Sequence, residues 1–320
     1  MTYAVGQPVL AADDLGGPIA STSAYASDLA ATDKVSALIG VGYGSRGYGQ
    51  TSPVILPIVS GSAIPAVHMN AVITALGLIN THTGSGQVLP ASIVAGDPVQ
   101  AFDGSSSRPN LPVIISALDT ARLTFSVGQM TLTSVLTGTR TDPWNTSVYH
   151  EFTATFANEN EARYFFNTGS QIYTAASRTG GTNNHIDVAL TDLLIQMGTI
   201  KIGAVATTYT GTGGTAYPIG YYGLTTSYQT LFVHNGATYG YTTVSYTLRA
   251  KVESVSSVNG GNGSVLRIQA VFATGYSGGS YGHGVDGTLI SSVSQLNAGG
   301  VLMVTAPTYA SGAPYNNPTF

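Results

Sequence analysis

From Ser147 to Phe156 apolar and polar side chains alternate without a break. Val148, His150, Phe152, Ala154 and Phe156 fall on one side, and Ser147, Tyr149, Glu151, Thr153 and Thr155 on the other. A period of two predicts a half-buried strand. A short helix follows, with Asn158 as N-cap, Glu161 as its capping-box partner, Ala162, Phe165 and Phe166 as the apolar face, and Gly169 as the stop. Ile172 to Ser177 reads as a strand. Next, Asn184 caps a helix in which Ile186, Ala189, Leu190, Leu193, Leu194 and Met197 complete a core-facing stripe. Gly198 ends that helix, and Ile200, Ile202 and Ala204 open another strand.

The last third predicts a meander. Tyr228 to Val233 runs into Asn235-Gly236, a hairpin signal. After it Val244, Tyr246, Leu248, Ala250 and Val252 face in, while Ser245, Thr247, Arg249, Lys251 and Glu253 face out. Past the turn Asn259-Gly260-Gly261-Asn262-Gly263, Leu266, Ile268, Ala270 and Phe272 repeat the pattern, which predicts an antiparallel sheet with one wet face.

The first third has a helical period instead. Tyr25, Leu29, Val35 and Leu38 recur up to Gly40, with N-caps offered by Ser21, Thr22 and Ser23. Ser62 and Pro65 begin a second helix whose predicted stripe is Ile64, Val67, Ala71, Ala75 and Leu78. A third helix starts near Pro112. Gly96-Asp97-Pro98 and the run Gly104 to Pro109 are linker chemistry. The expectation is an α+β chain: an N-terminal helical docking region (1–110), a helix and linker (111–145), and an antiparallel β-sandwich-like domain with inserted helices (146–320). At 320 residues two domains are the default.

Charge changes this picture. Only 8% of the chain is Asp, Glu, Lys or Arg, against roughly 25% in an ordinary soluble domain. A net charge of −4 gives copies little repulsion, so the surface is expected to meet other protein. Eleven scattered Lys and Arg form no basic run, which argues against nucleic acid. There is no cysteine, hence no disulfide framework, thiolate metal site or Cys nucleophile. No apolar stretch reaches the length of a spanning helix, the first residues lack a signal-peptide pattern, and helices between the strands argue against a transmembrane barrel.

The chemical motifs are few. Gly42-Tyr43-Gly44-Ser45-Arg46-Gly47 has the letters of a dinucleotide fingerprint, but Thr51-Ser52-Pro53 breaks any following helix and no acidic residue lies between 34 and 96. A structured glycine loop is expected instead. The histidines His68, His82, His150, His185, His234 and His283 never fall at chelating spacing. Asp286 near His283 could hold a loose cation, yet no calcium loop is written, and no GxSxG elbow or signalled carboxylate pair marks a catalyst. Asn145-Thr146-Ser147 and Asn262-Gly263-Ser264 match the glycosylation acceptor by chance composition. No enzyme, cofactor or metal is expected. Tyr221, Tyr222 and Tyr228 in one Gly-rich loop and Tyr276 and Tyr281 in another are the candidate interface or recognition residues, because tyrosine combines large contact area with a polar tip.

Two stretches carry a resemblance. One is Leu38-Ile39-Gly40-Val41-Gly42-Tyr43-Gly44-Ser45-Arg46-Gly47-Tyr48-Gly49-Gln50, followed by Ile64-Pro65-Ala66. The other runs from Trp144-Asn145 through Phe152 to Phe156, Glu161-Ala162-Arg163-Tyr164-Phe165-Phe166-Asn167-Thr168-Gly169 and Ala175 to Gly181, with Met197 to Ile200 downstream. These resemble a group of virion structural proteins of tailed bacteriophages, over a third to a half of the chain. The chain departs from the group at His68 and Asn70, where a Trp-Asn is expected, and at Gly169-Ser170-Gln171-Ile172. The resemblance implies a non-enzymatic particle component, made in the host cytoplasm, located in the virion, and partnered by copies of itself and other virion proteins. A tail, neck or baseplate appendage is the first expectation. A glycan- or receptor-binding fibre tip touching the host surface, or a capsid decoration protein, is the alternative.

Overall fold

The computed structural model describes residues 34–51, 66–94, 111–255, 258–275 and 284–312. In these, three helices come first: α1 (Lys34–Ile39), α2 (Ala66–Thr83) and α3 (Leu111–Thr120). The strands then run β1 (Met130–Arg140), β2 (Ser147–Thr155), β3 (Gln171–Thr179), β4 (Ile200–Ile202), β5 (Thr207–Tyr209), β6 (Thr215–Ala216), β7 (Gln229–Asn235), β8 (Ser245–Val252), β9 (Val265–Ala273), β10 (Thr288–Ala298) and β11 (Thr308–Ser311). Helices α4 (Glu159–Asn167) and α5 (His185–Met197) interrupt them before and after β3.

The strands form two antiparallel sheets, ordered β1-β10-β3-β4-β5 and β11-β2-β9-β8-β7-β6, so the chain is an α+β fold with a sandwich-like β region. The inward residues of β2, β8 and β9 are those the alternation predicts: Val148, Phe152 and Ala154, Tyr246, Leu248 and Ala250, and Leu266, Ile268, Ala270 and Phe272 are all fully buried. Helix α5 touches β3 in one sheet and β7 and β8 in the other. Its Asn184 cap closes a full capping box with Asp187, and the predicted stripe is buried throughout. A stripe wedged between two sheets must be apolar over a wide arc, which is why its period is so plain in the sequence.

A second apolar cluster belongs to the helices. Val35, Leu38 and Ile39 of α1 meet Val72, Ala75, Leu76 and Ile79 of α2, Ile114, Ile115 and Leu118 of α3, and Tyr48. Leu302, beyond β10, inserts into the same cluster, so the C-terminal part of the chain completes the helical core. The buried face of α2 differs from expectation. Val67 is 68% exposed, and the stripe that packs is Val72, Ala75, Leu76 and Ile79, displaced toward the face that meets α1 and α3. Among the described residues no helix is long and apolar enough to cross a membrane.

Other elements depart from the sequence reading. Residues 111–145, expected to be a helix and linker, contain the eleven-residue strand β1. Strand β10 was not expected either. The β7–β8 connection is a hairpin, but Asn235 pairs with Ser245 and Gly236 donates to Val244 O at 2.7 Å, so Asn-Gly begins a wide loop and forms no two-residue turn.

Candidate functional site

The most heavily built polar constellation lies where the helical cluster meets the sandwich. After α1 the chain doubles back: Tyr48 N, Gly49 N and Gln50 N donate to the oxygens of Leu38, Gly40 and Ile39 at 3.0, 2.8 and 2.9 Å. These bonds satisfy carbonyls that a helix end leaves unpaired. The return needs left-handed backbone at Gly42, Gly44 and Gly47, with φ of 56°, 57° and 102°. A side chain at Gly47 would place its Cβ 2.2 Å from Val41 O. The turn also points several carbonyl oxygens at one spot.

Arg163 of α4 occupies that spot. Its neighbours Ala162, Phe165 and Phe166 face the sandwich core, and Arg163 and Asn167, one turn apart, face the glycine loop. The fully buried guanidinium donates to Val41 O (3.1 Å), Arg46 O (2.9 Å), Gly44 O (3.3 Å) and Asn160 Oδ1 (2.8 Å). Asn167 Nδ2 adds bonds to Gly44 O and Gly47 O, each 3.0 Å. A buried charge is costly unless its donors are all engaged, and here converging carbonyls engage them. The β8–β9 turn closes the same spot, with Gly44 N donating to Asn259 O at 2.8 Å.

The loop is gripped from the helical side as well. Arg46 makes a two-pronged pair with Asp119 of α3, both bonds 2.8 Å, a geometry that fixes orientation as well as charge. Arg122 donates to Ser45 O and Ser45 Oγ at 3.0 Å each. Tyr48 donates to Arg122 O at 2.7 Å, and His82 of α2 bonds Thr168 O, just past α4, at 2.9 Å. Burial lowers the His82 pKa and raises that of Tyr48, so both stay neutral at neutral pH.

Two of the candidate tyrosines belong to this joint. Tyr221 is fully buried, stacks on Phe166 with ring centres 4.6 Å apart, and donates to Gly263 O at 2.8 Å. Burial pushes its pKa up to about 12. The Tyr222 hydroxyl lies 2.6 Å from Gly44 O and 2.7 Å from Asn167 Oδ1. Both rings point inward, because a short helical turn at Tyr221–Gly223 tucks them under α4. Of these candidate interface or recognition residues, Tyr221 is thus buried inside the chain and Tyr222 is half-buried with its hydroxyl engaged. Asn262, one of the acceptor-like asparagines, is buried too, with Nδ2 donating to Tyr221 O and Leu224 O at 2.6 and 2.7 Å.

Tyr228 sits elsewhere, on the outward face of the six-stranded sheet. Its hydroxyl donates to Glu151 Oε2 at 2.7 Å, and the cationic groups of Arg249 and Lys251 each lie 5.2 Å from its ring centre. Arg249 donates to Gln269 at 2.7 Å, Gln269 donates to Glu151, and Arg267 bridges Glu151 and Glu253. In a chain so poor in charge, this is a local concentration of it. Hydrogen bonds from Gln269, Tyr228 and Arg267 hold Glu151 below the usual carboxylate range, against the opposing effect of burial. Tyr276, Tyr281 and His283 lie outside the described residues, as do the side chain of His68 and the predicted start of the first helix.

A third constellation joins Arg178 of β3 to Asp187 (2.8 Å) and Asp286 (3.2 Å). Asp187 also accepts from Asp286 N and Asn184 N, and Asp286 from Thr182 N. Burial pushes the Asp187 carboxyl up while Arg178 opposes it. Both carboxylates thus tie β3, α5 and the approach to β10 together. Among the described residues no group of three or more His, Cys, Asp or Glu could hold a metal ion.

Sequence reasoning placed Arg163 and Asn167 in a distinctive segment without assigning them a role. The available signal was Arg163 and Asn167, four apart and flanking Tyr164, Phe165 and Phe166, which must meet polar groups if that face is covered. Comparison with protein-family models, curated proteins and solved structures finds no match.

Proposed function

We propose that this chain is a non-enzymatic structural subunit of a tailed-bacteriophage particle, an oligomeric component of a tail, neck or baseplate-associated appendage. The observation that carries the reading is the contact between the two stretches that resemble such proteins. The glycine turn Gly42–Gln50 and the segment Arg163–Asn167, over a hundred residues apart, fit together as loop carbonyls around a guanidinium and an amide. A match of this kind gives both motifs an architectural reason to be present: together they fix a helical module against a β-sandwich. The polar groups best placed for chemistry, Arg163, Asn167, Arg178 and Asp187, are occupied in holding elements together. The low charge of the chain fits a surface covered by neighbours.

The test is protein mass spectrometry on density-purified particles from cells expressing the chain from its native genome. Multiple copies per particle support the reading. A chain left wholly in the soluble fraction, with particles intact, would sink it.

A recognition role has one observation in its favour, the Tyr228 face with its flanking Arg249 and Lys251. A half-buried aromatic ring flanked by two cationic groups on the outward face suits an acidic glycan. Loss of host adsorption by Tyr228→Ala particles assembled in normal number would favour that reading over a purely structural one.

A further inference from the structure

The four sheet edges of this fold are unequal. Strands β5, β6 and β11 have three, two and four residues, so three edges are protected by being short. The fourth edge, β1, has eleven residues; among the described strands it ladders with β10 and approaches β11, and its first five residues, Met130 to Ser134, form the regular part of that edge. From Met130 to Thr139 it carries no charge and no proline, the two substitutions that usually blunt an open edge. Thr131, Leu132, Thr133 and Ser134 are all exposed, although successive residues of a strand point to opposite faces. Both faces of this stretch are therefore open as well as its edge. Its one irregularity is a register shift between Ser134 and Leu136.

An open strand edge selects its partner by chemistry. Its N–H and C=O groups recur at strand spacing and can be met only by another extended backbone. A second copy offers one long edge, the same one. We infer that two copies of this chain join through β1, antiparallel about a twofold axis at Leu132, so that two five-stranded sheets become one sheet of ten strands. This rests on the reading of the chain as an assembling subunit, and names the contact it would use.

The register follows from the bulge. Regular backbone runs from Met130 to Ser134, and Leu132 is its centre, so self-pairing sets Met130 against Ser134, Thr131 against Thr133, and Leu132 against its counterpart. Thr–Thr and aliphatic pairs of this sort stabilise neighbouring strands. The pairing also accounts for Leu132 itself, which is 60% exposed between Thr131 and Thr133. Charge does not oppose it. The two Arg140 side chains, each eight residues from the axis, fall about 50 Å apart at ~3.4 Å per residue, well beyond the screening length.

The test uses the full chain, with sedimentation across the micromolar range. The parent should associate. Leu132→Lys, which sets like charges face to face at the axis, should weaken that association about tenfold or more while leaving the melting temperature of the dilute chain unchanged, since Leu132 touches no core. Thr208→Lys on the short β5 edge should associate like the parent. Because the chain has no cysteine, Leu132→Cys provides a single thiol, and a short bis-maleimide should couple two copies in high yield. A parent that stays monomeric throughout, or a Leu132→Lys variant that associates like the parent, overturns the inference. If that variant associates normally and the chain is still present in particles, the pairing fails and the structural reading stands. If the chain dimerises through Leu132 yet never enters particles, the reverse holds.

Discussion

Arg163→Met removes the donors at the centre of the joint while keeping most of the side-chain volume. Gly44 O would retain Asn167 and Tyr222, but the carbonyls of Val41 and Arg46 would lose their guanidinium partner. An unpaired buried polar group costs about 1–3 kcal/mol. These two carbonyls are only part-buried and Val41 is 52% exposed, so water takes up part of the loss, and with the charge no longer desolvated the net loss is about 1–2 kcal/mol. Domain stabilities are only about 5–15 kcal/mol, so that loss is large. Arg163→Ala should lose more, because it adds a cavity. The assay is urea unfolding followed by two probes. Fluorescence of Trp144, the single tryptophan and a member of the sandwich core, reports one side of the joint, and amide exchange in α2 reports the other. Exchange in α2 should accelerate more than the Trp144 midpoint shifts, because the helical module is what the joint holds. A loss under about 0.5 kcal/mol for Arg163→Met, the range of ordinary surface substitutions, would refute the reasoning.

Two glycine variants separate strain from collision. Gly44→Ala has open space for its Cβ and should cost about 1 kcal/mol for its positive φ alone, whereas Gly47→Ala meets Val41 O at 2.2 Å and should lower the melting temperature several times more; equal effects would contradict the loop geometry. Burial holds His82, His150 and His234 below the ordinary 6.5 in the fold, so the unfolded chain takes up these protons first. Stability should therefore be full above about pH 6.5 and fall with pH from there through the lower folded values; a melting temperature that rises on acidification over that window would reverse the sign. Leu193→Asp places an unpaired charge at a position 1% exposed in α5 and should cost about 3 kcal/mol or more; a thermal melt matching the parent would mean the stripe does not face the core.

Legibility in the sequence tracked how directly burial maps onto side-chain type. Strands β2, β8 and β9 have one apolar and one wet face, so their alternation was plain. Strand β10 was hidden because its inward positions include Ser291 and Gln295 among Leu289 and Val293, which breaks the pattern. Strand β1 was hidden for another reason: its first half, Thr131 to Ser134, is exposed on both faces, and the register shift between Ser134 and Leu136 breaks the alternation of the half that packs on the core. The glycine loop was expected as a structured turn, but its occupant is supplied by a helix more than a hundred residues later, and no local pattern links the two. The inward packing of Tyr221 and Tyr222 was not legible, because composition cannot distinguish an aromatic on a loop tip from one folded beneath a helix.

A repeated building unit whose helical module is fixed to its sandwich should be visible as such in the particle. A cryo-electron reconstruction of the native particle tests that most directly. The expected map contains many symmetry-related copies, each with the glycine loop seated on α4 and the two modules in the orientation set by Arg163. Particles whose reconstruction accounts for every ordered subunit without this chain would contradict it.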